Sequence, residues 1–140
     1  MNRRILVVDD EQSIRDSLAR HFRLGGIETE SACDGQDALD KLSTLPYRVV
    51  VSDIMMPRLD GIGLLRRIRQ EYPMTRVVMI TGYVTLENAL ACVKLGADTC
   101  VFKPFSELAE LDQAVEAAFA FHERWERKLL ELRGMKGGRE

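Results

Sequence analysis

Polar residues of three kinds come directly after short apolar runs, at Asp9, Asp10, Asp53, Thr81 and Lys103. If these runs are neighbouring parallel strands, their carboxyl ends meet at one edge of a sheet, and the five side chains gather there. The cluster would combine carboxylates for a divalent cation with a hydroxyl and an ammonium group. Such a set is suited to handling a phosphoryl group.

Three crowded carboxylates repel one another, so the group either holds a proton tightly or binds a cation. We expect Mg²⁺, which prefers octahedral oxygen ligation and usually takes one or two carboxylates together with a substrate phosphate. The Asp53 carboxylate could then attack phosphorus, while Lys103 neutralises charge on the oxygens. Thr81 would donate a hydrogen bond to a phosphoryl oxygen.

The elements that position these residues follow a repeated pattern of strand and helix. Apolar runs of strand length occur near residues 4–8, 27–32, 48–52, 76–80 and 98–102, and each precedes a segment with helical spacing. Continuous Val- and Ile-rich strands that alternate with amphipathic helices predict a parallel sheet covered on both faces, a doubly wound α/β fold. Ligands of such sheets bind beyond the carboxyl ends of the strands.

Apolar spacing also predicts the buried faces of the first four helices, through Ile14, Leu18 and Phe22, Ala38 and Leu42, Leu64, Leu65 and Ile68, and Leu86, Leu90 and Val93. Gly25 and Gly26 should close the first helix and Gly96 the fourth. Asp10 alone could be a cap of the first helix, and Asp60 is expected to cap the third. We expect Gly61 to provide flexibility at the start of that third helix.

The last helix has a heptad pattern along Leu108, Leu111, Val115, Ala118, His122, Trp125, Leu129 and Leu132. From a cap at Ser106 to Arg133 it would be about 40 Å long, whereas a strand of five or six residues spans only about 17–20 Å. We therefore expect one domain over residues 1–121, a helical extension over 122–133 and a frayed tail over 134–140. The extension is either a dimerisation seam or a solvated helix with a few exposed apolar residues.

Size and composition fit a single globular domain. The 140 residues are 46% hydrophobic and 30% charged, and the formal net charge of −2 predicts no nucleic-acid footprint. The apolar run near the N-terminus is too short for a signal peptide or a membrane span, so we expect a cytoplasmic protein with no membrane partner. Cys33, Cys92 and Cys100 lack metal-site spacing and are expected to be buried thiols.

Five fragments in this order and spacing resemble the receiver domain of two-component response regulators: Asp9-Asp10, Asp53 to Pro57, Asp60-Gly61, Thr81-Gly82 and Lys103-Pro104-Phe105. The resemblance covers residues 4 to about 120. It implies the flavodoxin-like (βα)5 fold with strand order 2-1-3-4-5, here with an extended C-terminal helix.

The same resemblance assigns roles to the site residues. It implies that Asp53 accepts a phosphoryl group from the phosphohistidine of a sensor histidine kinase or phosphotransfer protein. It also implies that Asp10, Asp53 and the backbone carbonyl of Met55 hold Mg²⁺ with help from Asp9. Lys103 would pair with the phosphoryl group, and the Lys103–Pro104 bond would be cis.

The switching residues implied by the resemblance are only partly present. Thr81 would move toward the phosphoryl group and couple the site to the face of helix 4, strand 5 and helix 5. Many receivers carry an aromatic residue where this chain has Cys100, so the resemblance implies no aromatic rotamer switch at this position. Tyr83 or Phe102 could repack instead, although alternation favours a core or partner-surface role for Phe102.

Four functions are compatible with parts of this pattern. The first is a phospho-accepting switch that changes a protein-binding surface and acts on a downstream output protein, and the second is the receiver of a longer DNA-binding or ATPase regulator. A phosphatase of the haloacid-dehalogenase kind would need an acid where Met55 stands, so we expect no enzyme activity beyond slow loss of the chain's own phosphoryl group. An interaction scaffold independent of phosphorylation would be favoured only by an incomplete site.

Overall fold

The computed structural model describes residues 2–83, 85–104 and 107–137. Its strands and helices alternate along the chain as β1 (Arg4–Val8), α1 (Gln12–Leu24), β2 (Glu28–Ala32), α2 (Gly35–Leu42), β3 (Val49–Asp53), α3 (Gly61–Glu71), β4 (Arg76–Thr81), α4 (Leu86–Lys94), β5 (Thr99–Phe102) and α5 (Ala109–Gly137).

The five strands form one parallel sheet in the order β2-β1-β3-β4-β5. The predicted doubly wound, flavodoxin-like fold is therefore confirmed. Four of the five residues of β1 and all five of β3 are buried, as expected for strands covered on both faces. In the register of β3 and β4, Asp53 lies opposite Ile80, one residue before Thr81. The end of each central strand therefore reaches the same edge of the sheet.

Two apolar cores lie on opposite faces of the sheet. Leu6 and Val8 of β1 belong to the core that α2, α3 and α4 cover, whereas Ile5 and Val7 belong to the core under α1 and α5. Side chains of successive strand residues point to opposite faces, so β1 supplies both cores. Each βα unit thereby holds the end of its strand in a fixed place.

Helix α4 is where the predicted buried face is wrong. Its apolar positions Leu86, Leu90 and Val93 are 77%, 49% and 74% exposed, and Cys92 is its buried residue. Leu95, just past the helix, also packs against the core. Helical spacing alone cannot tell a core face from a solvent-facing apolar stripe, because both give the same period.

Helix α5 is longer than predicted. Ser106, its expected cap, lies outside the described residues, and the helix runs from Ala109 past Gly134 to Gly137. The predicted end at Arg133 and the frayed tail from residue 134 are therefore wrong as far as Gly137. One glycine costs a helix only about 1 kcal/mol relative to alanine, which does not end it when the helix signal continues on both sides.

Burial along α5 changes close to the predicted domain boundary at residue 121. Leu111, Val115 and Ala118 are buried, and His122 is 7% exposed. Trp125, Leu129 and Leu132, by contrast, are 48%, 57% and 51% exposed. The helix therefore leaves the core after His122, and the division into a domain and an extension stays a prediction.

Smaller predictions have mixed outcomes. Gly26 and Gly96 take positive φ at the ends of α1 and α4, as predicted. Cys92 is buried, but Cys33 is exposed and Cys100 is intermediate, so the prediction of three buried thiols is wrong for Cys33. Among the described residues, no helix is both long and apolar enough to span a bilayer.

Candidate phosphorylation and metal site

Three carboxylates lie together beyond the ends of β1 and β3. Asp9, Asp10 and Asp53 each offer one oxygen, and these oxygens lie within 4.8 Å of one another. Asp9 is fully buried, Asp53 is 6% exposed and Asp10 is exposed. The fold thus brings the predicted acidic residues together, with one of them open to solvent.

Asp9 also fixes the start of α1. Its carboxylate accepts a hydrogen bond from the Glu11 amide at 2.9 Å, and Glu11 is the N-cap residue of the helix. The alternative that Asp10 caps α1 is therefore wrong. Asp10 is left free to face the cavity beside Asp53.

Lys103 joins the two buried carboxylates. Its Nζ donates to Asp9 Oδ2 at 2.7 Å and to Asp53 Oδ2 at 3.0 Å. The side chain is 11% exposed, and the residue directly follows β5. The ammonium group already lies where a phosphoryl group on Asp53 would need a positive partner. The bond from Lys103 to Pro104 is cis.

Burial and charge shift the pKa values of this pair. Burial raises the pKa of Asp53, hydrogen bonding and attraction to Lys103 offset part of that shift, and the Asp9 charge adds to it. Burial opposes the charge on Lys103, but its bonds to Asp9 and Asp53 outweigh this, and the pKa of Lys103 is raised. The site therefore holds a carboxylate that benefits from more positive charge than one ammonium group provides.

The donor set fits a divalent cation. Three carboxylates face one ammonium group, so the cluster has an excess of negative charge when all three are ionised. Hard cations with oxygen ligands suit such a group, and exposed Asp10 gives access from solvent. A cavity of about 260 Å³ next to the carboxylates is lined by Asp10, Glu11, Asp53, Met55, Thr81, Gly82, Tyr83 and Lys103.

The Thr81 side chain borders this cavity but is bonded locally. Its hydroxyl donates to the Tyr83 carbonyl at 2.8 Å and accepts from the Tyr83 amide at 3.1 Å. The residue is 1% exposed. To donate to a phosphoryl oxygen, as predicted from the sequence, the hydroxyl must release the Tyr83 carbonyl.

The loop that carries Met55 is closed tightly on β3. The Gly61 amide donates to the Ile54 carbonyl at 2.9 Å, and a Cβ on Gly61 would lie 2.1 Å from the Asp53 carbonyl oxygen. Gly61 is therefore required for close backbone approach, and the prediction of helix-start flexibility is wrong. Asp60 caps α3 as predicted, since its Oδ1 accepts from the Gly63 amide at 2.8 Å.

The three residues considered for switching differ in environment. Cys100 packs against the core, and burial is the main cause that raises its pKa to about 11, so its thiol is a poor nucleophile. Tyr83 and Phe102 are 67% and 59% exposed. The predicted core role for Phe102 is thus excluded, and its ring is available to a partner.

Sequence reasoning missed two residues that hold the Met55 loop. Arg58 has φ 64°, and its Nε donates to Asp34 Oδ2 at 2.7 Å. Asp34 is 3% exposed and precedes α2. An arginine gives no sequence signal for positive φ, which would have been visible only had a glycine or asparagine stood there.

The sequence is similar to known response regulators. Residues 5–116 match the family model of the response regulator receiver domain. The chain is 40% identical over 115 residues to the Regulatory protein AtoC of Escherichia coli, a match that covers 82% of this chain and 25% of AtoC. The chain spans between 22% and 46% of the length of the curated relatives it matches.

Two solved structures share the fold. A CheY-like receiver domain protein from Methanospirillum hungatei has a TM-score of 0.82 and 29% identity, covering 89% of this chain and 99% of its own. The response regulator TrrA from Thermotoga maritima, in complex with Mg²⁺ and BeF, has a TM-score of 0.75 and 33% identity, covering 84% and 99%. This chain belongs to the receiver-domain family of two-component response regulators.

Proposed function

We propose that Asp53 accepts a phosphoryl group from the phosphohistidine of a sensor histidine kinase or phosphotransfer protein, with Mg²⁺ bound beside it. The observation that carries this proposal is the pairing of nearly buried Asp53 with Lys103 at 3.0 Å in a cluster of three carboxylates. Family membership supports it, as does the complex of the similar protein TrrA with Mg²⁺ and BeF.

The transfer forms one bond and breaks another. An Asp53 carboxylate oxygen attacks phosphorus, the phosphorus–nitrogen bond to the kinase imidazole breaks, and that nitrogen keeps the electron pair and takes a proton. Asp10, Asp53 and the Met55 carbonyl would hold Mg²⁺, with Asp9 assisting. When bound, the ion supplies the positive charge that the phosphoryl oxygens and crowded carboxylates need.

Lys103 and Thr81 stabilise the product. Lys103 stays beside Asp53 and neutralises a phosphoryl oxygen. Thr81 gives up its bond to the Tyr83 carbonyl and donates to another oxygen, which frees the segment after β4 to move. The contacts of Lys103 and Thr81 with phosphoryl oxygens exist only in the phosphorylated form, so they shift the population toward an active arrangement.

The output surface lies beside this segment. Tyr83, Leu86, Leu90, Val93 and Phe102 are apolar or aromatic and exposed on or next to α4 and β5. We propose that a downstream output protein or domain reads this surface when Thr81 moves. The relatives' greater length supports the alternative that such a domain belongs to the same regulator, with a DNA-binding or ATPase output.

Enzymatic turnover is not part of the proposed function. Met55 occupies the position two residues after Asp53, where a phosphatase with an aspartyl nucleophile would need an acid. Hydrolysis should be limited to slow loss of the chain's own phosphoryl group. We propose that the protein acts in the cytoplasm, where histidine kinases expose their phosphohistidine.

A homodimer through α5 is a further part of the proposal. Trp125, Leu129 and Leu132 are half exposed, and Trp125 and Leu129 also line a groove of about 630 Å³ against the loops before β3 and β4.

Substituting Leu129→Glu and Leu132→Glu together should reduce the molar mass in light scattering from dimer to monomer. Leu24→Glu, at an 83% exposed leucine of α1, is the matched control. A parent that is already monomeric would refute the dimer.

The phosphorylation is tested by intact mass after incubation with Mg²⁺ and acetyl phosphate. The parent should gain one phosphoryl group, and the gain should vanish without Mg²⁺ or in Asp53→Asn. Retained gain in Asp53→Asn would reject Asp53 as the acceptor. No gain in the parent would favour a scaffold that works without phosphorylation.

A further inference from the structure

The loop between β3 and α3 carries the Met55 carbonyl, yet residues 54–60 have no regular secondary structure. Met55 itself is 51% exposed, so burial of its side chain does not hold it. A carbonyl that is to serve as a cation ligand must be held near its productive position, since loose ligands weaken binding. The loop therefore needs fixed points.

One fixed point is the ion pair of Arg58 with Asp34. The Arg58 Nε donates to Asp34 Oδ2 at 2.7 Å, and its Nη2 donates to the same oxygen. Next to it, the Gly35 amide donates to the Leu59 carbonyl at 3.0 Å. The loop is thus joined to the segment between β2 and α2 by a side-chain contact and a backbone contact.

Asp34 is a rigid anchor. Its Oδ1 accepts from the Asp37 amide at 2.8 Å, which caps α2. This cap, ahead of the Arg58 contact, lowers the pKa of Asp34, although burial opposes the shift. Because the carboxylate is 4% exposed while Arg58 is 66% exposed, the fixed partner is Asp34 and the held partner is Arg58.

The backbone of Arg58 shows that the contact shapes the loop. Among the described residues, Arg58 is the only non-glycine residue with positive φ, at 64°. Left-handed backbone is unfavourable for an arginine and persists where surrounding contacts impose it. Arg58 stands three positions after Met55 in the same loop, so a contact that fixes Arg58 acts close to the Met55 carbonyl.

We propose that the Arg58–Asp34 ion pair is a positioning device that holds the loop so that Met55 can serve the cation site. This inference rests on the proposed function, because it concerns the Mg²⁺ that accompanies phosphorylation of Asp53. Arg58 acts through the loop and touches no reacting atom. Its effect should therefore be on the affinity for Mg²⁺.

The test measures Mg²⁺ affinity by calorimetry in the full chain for the parent, Arg58→Gly and Asp34→Asn. Glycine adopts positive φ without strain, and asparagine remains a good N-cap, so both variants should fold. Each should weaken Mg²⁺ binding by about tenfold, at the weak end of the effects seen for residues that orient metal ligands. The double variant should be no weaker than either single variant, because both remove one contact.

In Arg58→Gly, the sign of the change in Mg²⁺ affinity separates positioning from simple charge. Removing a positive charge should tighten binding of a cation if only long-range attraction mattered. Arg67→Gly is a control with the same charge change, since Arg67 pairs with Glu71 at 2.9 Å on the exposed side of α3. Arg67→Gly should bind Mg²⁺ as tightly as the parent or slightly more tightly. Urea unfolding of this control measures any loss of helix stability.

Two failures are distinguishable. If the parent takes up a phosphoryl group on Asp53 and Arg58→Gly binds Mg²⁺ as tightly as the parent, the positioning role is refuted and the proposed function stands. If the parent neither binds Mg²⁺ nor becomes phosphorylated, the proposed function fails and this inference fails with it.

Discussion

The two ends of the sheet hold charged groups in different ways. At the carboxyl ends of the strands, Asp9, Asp10 and Asp53 share the single ammonium group of Lys103. At the opposite end, acids lie in direct ion pairs with arginines, among them Arg48–Glu126 and Arg76–Asp98, both at 2.5 Å.

The opposite end is also better supported by packing. The Arg76 guanidinium lies 4.2 Å from the centre of the Phe121 ring, and His122 Nε2 is 2.9 Å from the Arg48 carbonyl oxygen. These contacts join the sheet to α5. The end with paired charges, the balanced end, supports the fold. The end with excess carboxylates, the unbalanced end, is suited to a cation.

The largest effect is expected at the balanced end. Arg76→Met should lower the free energy of unfolding by about 3 kcal/mol, because it leaves the Asp98 carboxylate, 18% exposed, without its partner. Arg67→Met, which breaks an exposed pair, should cost about 0.5 kcal/mol or less. Urea unfolding measures both. Equal losses would contradict the distinction between a packed and an exposed ion pair.

A divalent cation should stabilise the folded protein by binding at the unbalanced end. At a Mg²⁺ concentration about one hundred times its Kd, the parent should gain about 2.7 kcal/mol in the free energy of unfolding. Asp53→Asn should lose most of this gain, since it removes one of the ligands. Thermal unfolding with and without Mg²⁺ measures the effect, and an equal gain in the two proteins would place the ion elsewhere.

Replacing an aspartate by asparagine should change the free energy of unfolding in opposite directions at the two ends. Without Mg²⁺ at neutral pH, Asp53→Asn should raise the free energy of unfolding by about 1 kcal/mol, because it relieves a buried, crowded charge. Asp98→Asn should lower it, because Arg76 loses its partner. Urea unfolding of both variants gives the comparison. A loss of stability in Asp53→Asn would show that Lys103 fully compensates the carboxylates.

The smallest expected effect is the pH dependence that His122 contributes. Burial lowers its pKa below the ordinary value, so the folded protein favours the neutral ring. This stability is present above the unfolded pKa of about 6.5 and is lost as pH falls through the lower folded pKa. The stability difference between the parent and His122→Gln should therefore shrink below about pH 6.5. A constant difference would show that folding does not lower the pKa of His122.

Much of the fold follows from local sequence patterns. The strands and their parallel arrangement were predictable because buried parallel strands are continuously apolar and the glycines mark helix ends, whereas the strand order was implied by the resemblance to the family. The site residues Asp9, Asp10, Asp53, Thr81 and Lys103 were found because polar residues at the ends of such strands share one edge. Their roles remain predictions until phosphorylation is measured.

Features that depend on tertiary contact were not predictable. The outward face of α4 has the period of a core helix, and α5 continues through Gly134 because its helix signal continues beyond it. Gly61 looked like a flexible residue but fills a place where any Cβ would meet the Asp53 carbonyl. Arg58 combines a positive φ with an ion pair to Asp34, a residue 24 positions earlier.

Locating the phosphoryl group is the most direct test of the claim that Asp53, at the unbalanced end of the sheet, is the phosphoacceptor. After incubation with Mg²⁺ and acetyl phosphate, borohydride reduces an aspartyl phosphate to homoserine, and peptide mass spectrometry then identifies the reduced residue. Homoserine should appear at position 53 alone, because Asp53 is the carboxylate that shares Lys103 and borders the open cavity. Homoserine at position 9 or 10, with residue 53 unchanged, would contradict the assignment of Asp53 as the phosphoacceptor.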